Sequence, residues 1–247
     1  MLGIFKTITI FIKTFYYLVI SYFPKANVTA LKKQWALSVL QSFGLDLRVI
    51  GDNSAENNLV LVGNHIGFLD IVVLMAVEPR AVFLSKAEVA RWPIIGSCAR
   101  RIGTLFVNRE SSNSRASAKL ALAERLKNSN STYLAGFPSG TTTLNEDIPW
   151  KKGLVEIAAE TNTKVQVFKM KYTPARACAY IDDDTLFSSM SQVFNTSNKS
   201  VLFEWGSCES ITDVILQTQK FQQWTQTAYS INGEKALNRL THSFEFQ

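Results

Sequence analysis

Met1 to Phe23 is almost continuous apolar sequence, broken by Lys6, Thr9 and Lys13. Those three positions share one line of an α-helix, with Phe5, Phe11, Phe15, Tyr16 and Tyr17 spread around the rest of its circumference. Such a helix either lies in a membrane interface, its lysines reaching to phosphates, or spans the bilayer. No basic segment precedes the run and no small-residue cleavage site follows it, so it does not read as a cleaved signal peptide. Pro24 stops the run. Asn27 or Thr29 can cap a second helix over Ala30 to Phe43, which Gly44 ends. Residues 1–44 thus predict a membrane-anchoring helical hairpin.

From Leu45 the pattern changes. Leu45 to Val49 alternates like a strand, and Leu59 to Val62 is a short apolar run bounded by Asn58 and Gly63, the pattern of a buried strand. Ala81 to Leu84, Thr104 to Val107, Thr132 to Ala135, Val165 to Met170 and Leu202 to Trp205 are further strand candidates. Helices are predicted over Leu69 to Val77, Ser114 to Lys127, Gly153 to Glu160 and Asp213 to Leu240. Strands alternating with helices predict an α/β domain over residues 45–247, with a mostly parallel central sheet flanked by helices.

Composition adds a partner. The 247 residues carry a net charge of +6, and the first fifty hold six basic residues against one acidic. A basic, apolar beginning points to an anionic membrane surface; no base-reading motif supports nucleic acid. Cys98, Cys178 and Cys208 form no CxxC pair, which predicts reduced thiols, and with two histidines no structural zinc site is expected. Neither GxxxxGK[ST] nor GxGxxG occurs, which argues against nucleotide binding through those loops.

The candidate chemistry centres on Gly63-Asn64-His65-Ile66-Gly67-Phe68-Leu69-Asp70. His65 falls just past a strand end, where the active groups of open α/β sheets gather. A turn that folds back would let Asp70 accept from the imidazole N–H, holding one tautomer and favouring the imidazolium. The alternative is a structural loop histidine, with Asp70 serving as a first-turn acid at a helix start. Three further segments should reach the same rim. Lys86 and Arg109 would bring positive charge suited to phosphate, and Phe137-Pro138-Ser139-Gly140-Thr141-Thr142-Thr143 is a polar turn whose backbone N–H groups suit an anion.

Read together, these blocks resemble the glycerophospholipid acyltransferase superfamily, the 1-acyl-sn-glycerol-3-phosphate acyltransferases and their relatives. Asn64, His65 and Asp70 match its NHxxxxD signature; Lys86, Glu88, Pro93 and Gly96 match KxEL…P..G. Gly103, Phe106, Val107 and Arg109 match GxxFVxR, and Phe137, Pro138, Gly140 and Thr141 match FPEGT. The resemblance covers residues 45–175. Two positions depart from it: Ser139 stands where the family carries the Glu associated with the acceptor site, and Gln166 stands within a strand that is often V-P-V. The run Thr141-Thr142-Thr143 is similar to the branch that includes lysophosphatidylcholine and lyso-ornithine-lipid acyltransferases.

The resemblance implies acyl transfer from a thioester, on coenzyme A or acyl carrier protein, to the free hydroxyl of a lysolipid. The acceptor it favours is 1-acyl-sn-glycerol-3-phosphate, giving phosphatidic acid. His65 would be the base and Asp70 its partner. Asn64, Lys86, Gly103, Arg109, Ser139, Gly140 and Thr141 would bind substrate, with no bound cofactor and no metal. The implied place is a membrane, at the cytoplasmic face of an inner or plasma membrane. Two other readings stand beside it: a serine esterase with Ser139 as nucleophile and His65 as its base, although Gly136 to Gly140 is not a G-x-S-x-G elbow, and a catalytically silent lipid-binding relative.

Overall fold

A computed structural model of the chain describes residues 2–108, 112–128 and 131–228. In chain order it comprises α1 (Leu2–Ile20), α2 (Val28–Phe43), β1 (Leu45–Ile50), β2 (Leu59–Gly63), α3 (Leu69–Val77) and β3 (Ala81–Lys86). A 3-10 turn (Ala87–Arg91), α4 (Ile95–Arg101), β4 (Leu105–Val107), α5 (Ser112–Asn128), β5 (Tyr133–Gly136) and α6 (Gly153–Glu160) follow. The last elements are β6 (Lys164–Thr173), α7 (Ala175–Cys178), α8 (Leu186–Asn195), β7 (Lys199–Glu209) and α9 (Val214–Thr225). The expected mostly parallel α/β sheet is present. Its order is β1-β7-β6-β2-β5-β3-β4, and β6–β7 is the antiparallel pair.

β2 lies mid-sheet and is buried along its whole length, which is why it reads as unbroken Leu and Val. Its side chains alternate between the two faces. Leu59 and Leu61 join α2, α3 and α8 in one core, while Val60 and Val62 join α5, α6 and α9 in the other. Two sequence features explain the sharp ends of α2: the Asn27 carboxamide accepts the Ala30 N–H at 3.0 Å, and Gly44 takes the left-handed conformation at φ 65°. α4, α7 and α8 were not legible in the sequence. The first two are too short to show a helical period, and α8 carries few charges to mark its outer face. The predicted helix from Asp213 to Leu240 is α9 as far as Thr225, and its end lies outside the described residues.

Gln166, one of the departures from the family pattern, has a structural task. Its buried carboxamide accepts the Ser54 N–H at 2.9 Å and donates to Asp52 and Gly206 carbonyls, tying the β1–β2 loop to the sheet where β6 and β7 shift register.

The hairpin differs from expectation in orientation. α2 is part of the main core through Ala36, Val39, Leu40 and Phe43. The basic line of α1 turns toward the protein: Lys13 Nζ donates to Ser42 Oγ at 2.8 Å and Ser38 O at 3.3 Å, and Lys6 Nζ lies 5.6 Å from the centre of the Phe194 ring. α2 and α8 supply polar and π partners that the sequence pattern of α1 alone cannot reveal. The outward face is apolar instead, with Phe5, Ile8, Ile12, Phe15, Tyr16 and Val19 exposed. Among the described residues no helix is long and apolar enough to cross a membrane.

Lys32, counted above among the surface charges, is buried on α2, with Nζ donating to Ala81 O at 2.7 Å. Desolvation lowers its pKa to about 8, against the opposing pull of Glu78, and Arg125 adds to the lowering. Between about pH 8 and its ordinary 10.5 the unfolded chain holds a proton that the fold has released, so stability rises with pH across that window. Lys32→Met is expected to remove this slope and to stabilise the protein at pH 7 by roughly 2 kcal/mol, the cost of the buried charge less one hydrogen bond. Denaturant unfolding at pH 7, 8.5 and 10 checks it; equal slopes for both proteins would contradict it.

Candidate active site

The parallel strands β2, β5, β3 and β4 end on one rim, at Gly63, Gly136, Lys86 and Val107. The turn that leaves β2 there folds back on the start of α3. Asp70 is fully buried, and its Oδ2 accepts from His65 Nδ1 at 2.8 Å and from the Ile66 and Gly67 N–H groups at 2.6 and 2.9 Å. Its Oδ1 accepts from the Tyr172 hydroxyl at 2.7 Å. A carboxylate with four donors is held in one orientation, and because it only accepts, it fixes the proton on His65 Nδ1. Nε2 is left as the basic nitrogen.

The ring is also fixed from its face. Phe137 stacks on it at 4.1 Å and 9°. The turn needs glycine at its tightest point, since a Cβ on Gly67 would lie 2.4 Å from the Cys178 carbonyl oxygen. Asn64 is buried and spends its carboxamide on β6, donating to Met170 O at 2.8 Å and accepting from Met170 N at 2.7 Å. It therefore anchors the turn to the sheet.

Ser139 does not face His65. It is buried, and its hydroxyl donates to Thr141 O at 2.9 Å, an arrangement without the nucleophile–base contact a serine esterase requires. Gly140 turns the loop with φ 75°, and its N–H is engaged by Phe137 O at 3.0 Å. Thr142 donates to the Tyr180 carbonyl. Gly103 also adopts positive φ, at 80°, in the turn before β4, where its carbonyl accepts from Arg125. Lys86 ends β3 on the rim, and Arg109 lies outside the described residues.

A cavity of about 640 Å³ opens from His65, Phe137, Gly140 and Thr141 and runs beneath α1 and α2 along α3. Lys32 is among its lining residues. On the sheet it is lined by Phe83 to Ser85 of β3 and by Ala135 and Gly136 of β5, the ends of those strands nearest the rim. Its walls include Phe11, Leu18, Trp35, Val39, Ile71 and Met75.

Sequence reasoning missed Tyr172, Phe137 as a stacking partner, and Glu146. The Glu146 carboxylate accepts the His65 N–H at 2.8 Å and the Trp150 indole N–H at 2.7 Å. Burial pushes this carboxyl above its ordinary range, with the Trp150 and His65 hydrogen bonds pulling it back.

A buried carboxylate orienting a histidine on the strand-end rim of an α/β sheet, beside an apolar cavity, is an arrangement in which the imidazole can take a proton from a bound apolar substrate. The chain belongs to the Acyltransferase family, whose profile matches residues 46–171. It is 33% identical over 187 residues to the lyso-ornithine lipid O-acyltransferase of Pseudomonas aeruginosa, covering 72% of this chain and 70% of that protein. It is 29% identical over 117 residues to the 1-acyl-sn-glycerol-3-phosphate acyltransferase of Neisseria gonorrhoeae, covering 47% of this chain and 45% of the relative. Its fold is similar to the crystal structure of the 1-acyl-sn-glycerophosphate acyltransferase PlsC from Thermotoga maritima, with a TM-score of 0.65 at 15% identity, over 90% of this chain and 95% of that one.

Proposed function

We propose that this protein transfers a fatty acyl group from a thioester, on coenzyme A or acyl carrier protein, to the free hydroxyl of a lysolipid. The observation that carries the reading is the His65–Asp70 dyad beside the apolar cavity that His65 lines. His65 Nε2 takes the hydroxyl proton while the oxygen attacks the thioester carbonyl. The carbon–sulfur bond then breaks, and the imidazolium returns the proton to the leaving thiolate. Asp70 stabilises the imidazolium without taking its proton. The cavity, about 640 Å³ and lined mostly by apolar side chains, suits an acyl chain. Lys86 and Arg109 are proposed to receive the acceptor headgroup, with the Ser139–Thr141 turn beside them.

The exposed apolar face of α1 supports binding in the plane of a membrane, where a lysolipid resides. We place the protein on the cytoplasmic face, where the acyl donors are made. Two acceptors compete. Lysophosphatidic acid suits the headgroup role proposed for Lys86 and Arg109, whereas Ser139 in place of the family acid and the longer match to a lyso-ornithine lipid enzyme favour a lyso-ornithine acceptor. The deciding experiment incubates the protein on vesicles with acyl-coenzyme A or acyl carrier protein, offering each acceptor in turn. Acylated product from one or both acceptors is expected. No product with either donor and any lysolipid would leave a silent lipid-binding relative.

A further inference from the structure

In the turn from His65 to Gly67 every backbone N–H and C=O is engaged. Asp70 accepts the Ile66 and Gly67 N–H groups, Tyr180 N donates to Ile66 O, and Asp70 N donates to Gly67 O. The His65 peptide itself is clasped from the loop after β5. Thr143 N donates to His65 O at 2.8 Å, and the His65 N–H is accepted by Glu146 Oε1 at 2.8 Å. Glu146 is 7% exposed, and its second oxygen is committed to Trp150 Nε1.

The loop that carries Glu146 is held from behind. Gln222 of α9 and Gln226, just past its end, donate to the Glu146 carbonyl at 2.9 and 2.6 Å, and Trp150 N donates to Gln222 Oε1 at 3.1 Å. α9 packs through Phe221 on the opposite face of the sheet from α2 and α3. A buried carboxylate is costly unless hydrogen-bonded, and simple packing would be served by an apolar side chain. What the carboxylate adds is a charged acceptor aimed at the peptide of the base. The hydroxyl of Ser139, at the position where the related block carries an acid, is spent on its own loop.

We propose that Glu146 is a positioning residue for His65: it fixes the entry to the turn, so that the imidazole stays on Phe137 and Asp70 with Nε2 presented to the cavity. This rests on His65 being the base of the acyl transfer proposed above. Loss of the clasp would let the ring drift from the hydroxyl, and a displacement of about 1 Å is worth as much as a hundredfold in rate.

The test compares Glu146→Ala, Glu146→Gln and Glu146→Asp in the full chain on vesicles. Glu146→Ala is expected to lower kcat by roughly tenfold to a hundredfold, with the acceptor KM changed less than twofold. Glu146→Gln keeps one acceptor for the His65 N–H but loses the charge and turns its NH2 on the Trp150 indole N–H, so it is expected to recover part of kcat; Glu146→Asp keeps the charge but retracts it and is expected to stay impaired. Native kcat in all folded variants, or a loss confined to KM, would overturn the proposal. If Glu146→Ala does not fold, the Gln and Asp variants carry the same comparison. Hydrogen exchange over residues 60–68 supplies a readout that needs no turnover. Faster exchange in the Ala or Asp variant supports the clasp, and unchanged exchange overturns it. An inactive native protein would instead count against the acyl-transfer reading itself.

Discussion

His65→Ala is expected to lower acyl transfer by about three orders of magnitude, within the range that general-base catalysis commonly contributes. The size follows from the site. His65 Nδ1 is bonded to Asp70, which leaves Nε2 as the nitrogen to take the proton, and the Ser139 hydroxyl is bonded to Thr141 O and makes no hydrogen bond to His65 that could substitute for it. Asp70→Asn is expected to cost nearly as much by a different route. An amide at position 70 can present an N–H to His65 Nδ1, which would place the proton on Nε2 and remove the base. It would also disturb the Ile66, Gly67 and Tyr172 donors that converge on the carboxylate, so its melting temperature should fall. His65→Ala should melt close to native, since the ring is partly exposed, at 19%, and makes one side-chain hydrogen bond. Initial rates and melting temperatures measured together check both. Product within threefold of native from His65→Ala would remove this histidine from the mechanism.

The dyad was legible because its two members are five residues apart, and a single turn brings them together. The strands were legible because β2 and its neighbours are covered on both faces and read as apolar runs. What surrounds the dyad was not. Tyr172 reaches Asp70 across 102 positions and Glu146 reaches His65 across 81, so neither contact leaves a local pattern. The signal for Glu146 was faint: an acid four positions before a tryptophan, just after the polar turn. Lys32 shows the opposite failure. Composition placed it with the surface charges, but the face of α2 on which it lies is buried against β3.

The same limit applies to α1, where the pattern located a polar line and an apolar face without saying which faces the protein. With Lys13 bonded to α2 and Lys6 over Phe194, membrane affinity should come mainly from the apolar face. Replacing Phe5, Ile12 and Phe15 together by Ser is therefore expected to weaken binding to anionic vesicles about a hundredfold, at roughly 1 kcal/mol for each partly inserted side chain. These side chains are 67%, 64% and 54% exposed, so the fold should not suffer. Deleting residues 1–44 would be a poorer test, because it strips Ala36, Val39, Leu40 and Phe43 from the core along with the anchor. Salt separates the two origins of affinity. Apolar insertion should survive 0.5 M salt, whereas attraction between the basic residues and lipid phosphates is screened once the Debye length falls to a few ångströms. Vesicle flotation of both proteins at low and high salt makes the measurement. Native-like flotation of the triple variant would assign the membrane contact to another surface, and binding that salt alone abolishes would return it to the charges.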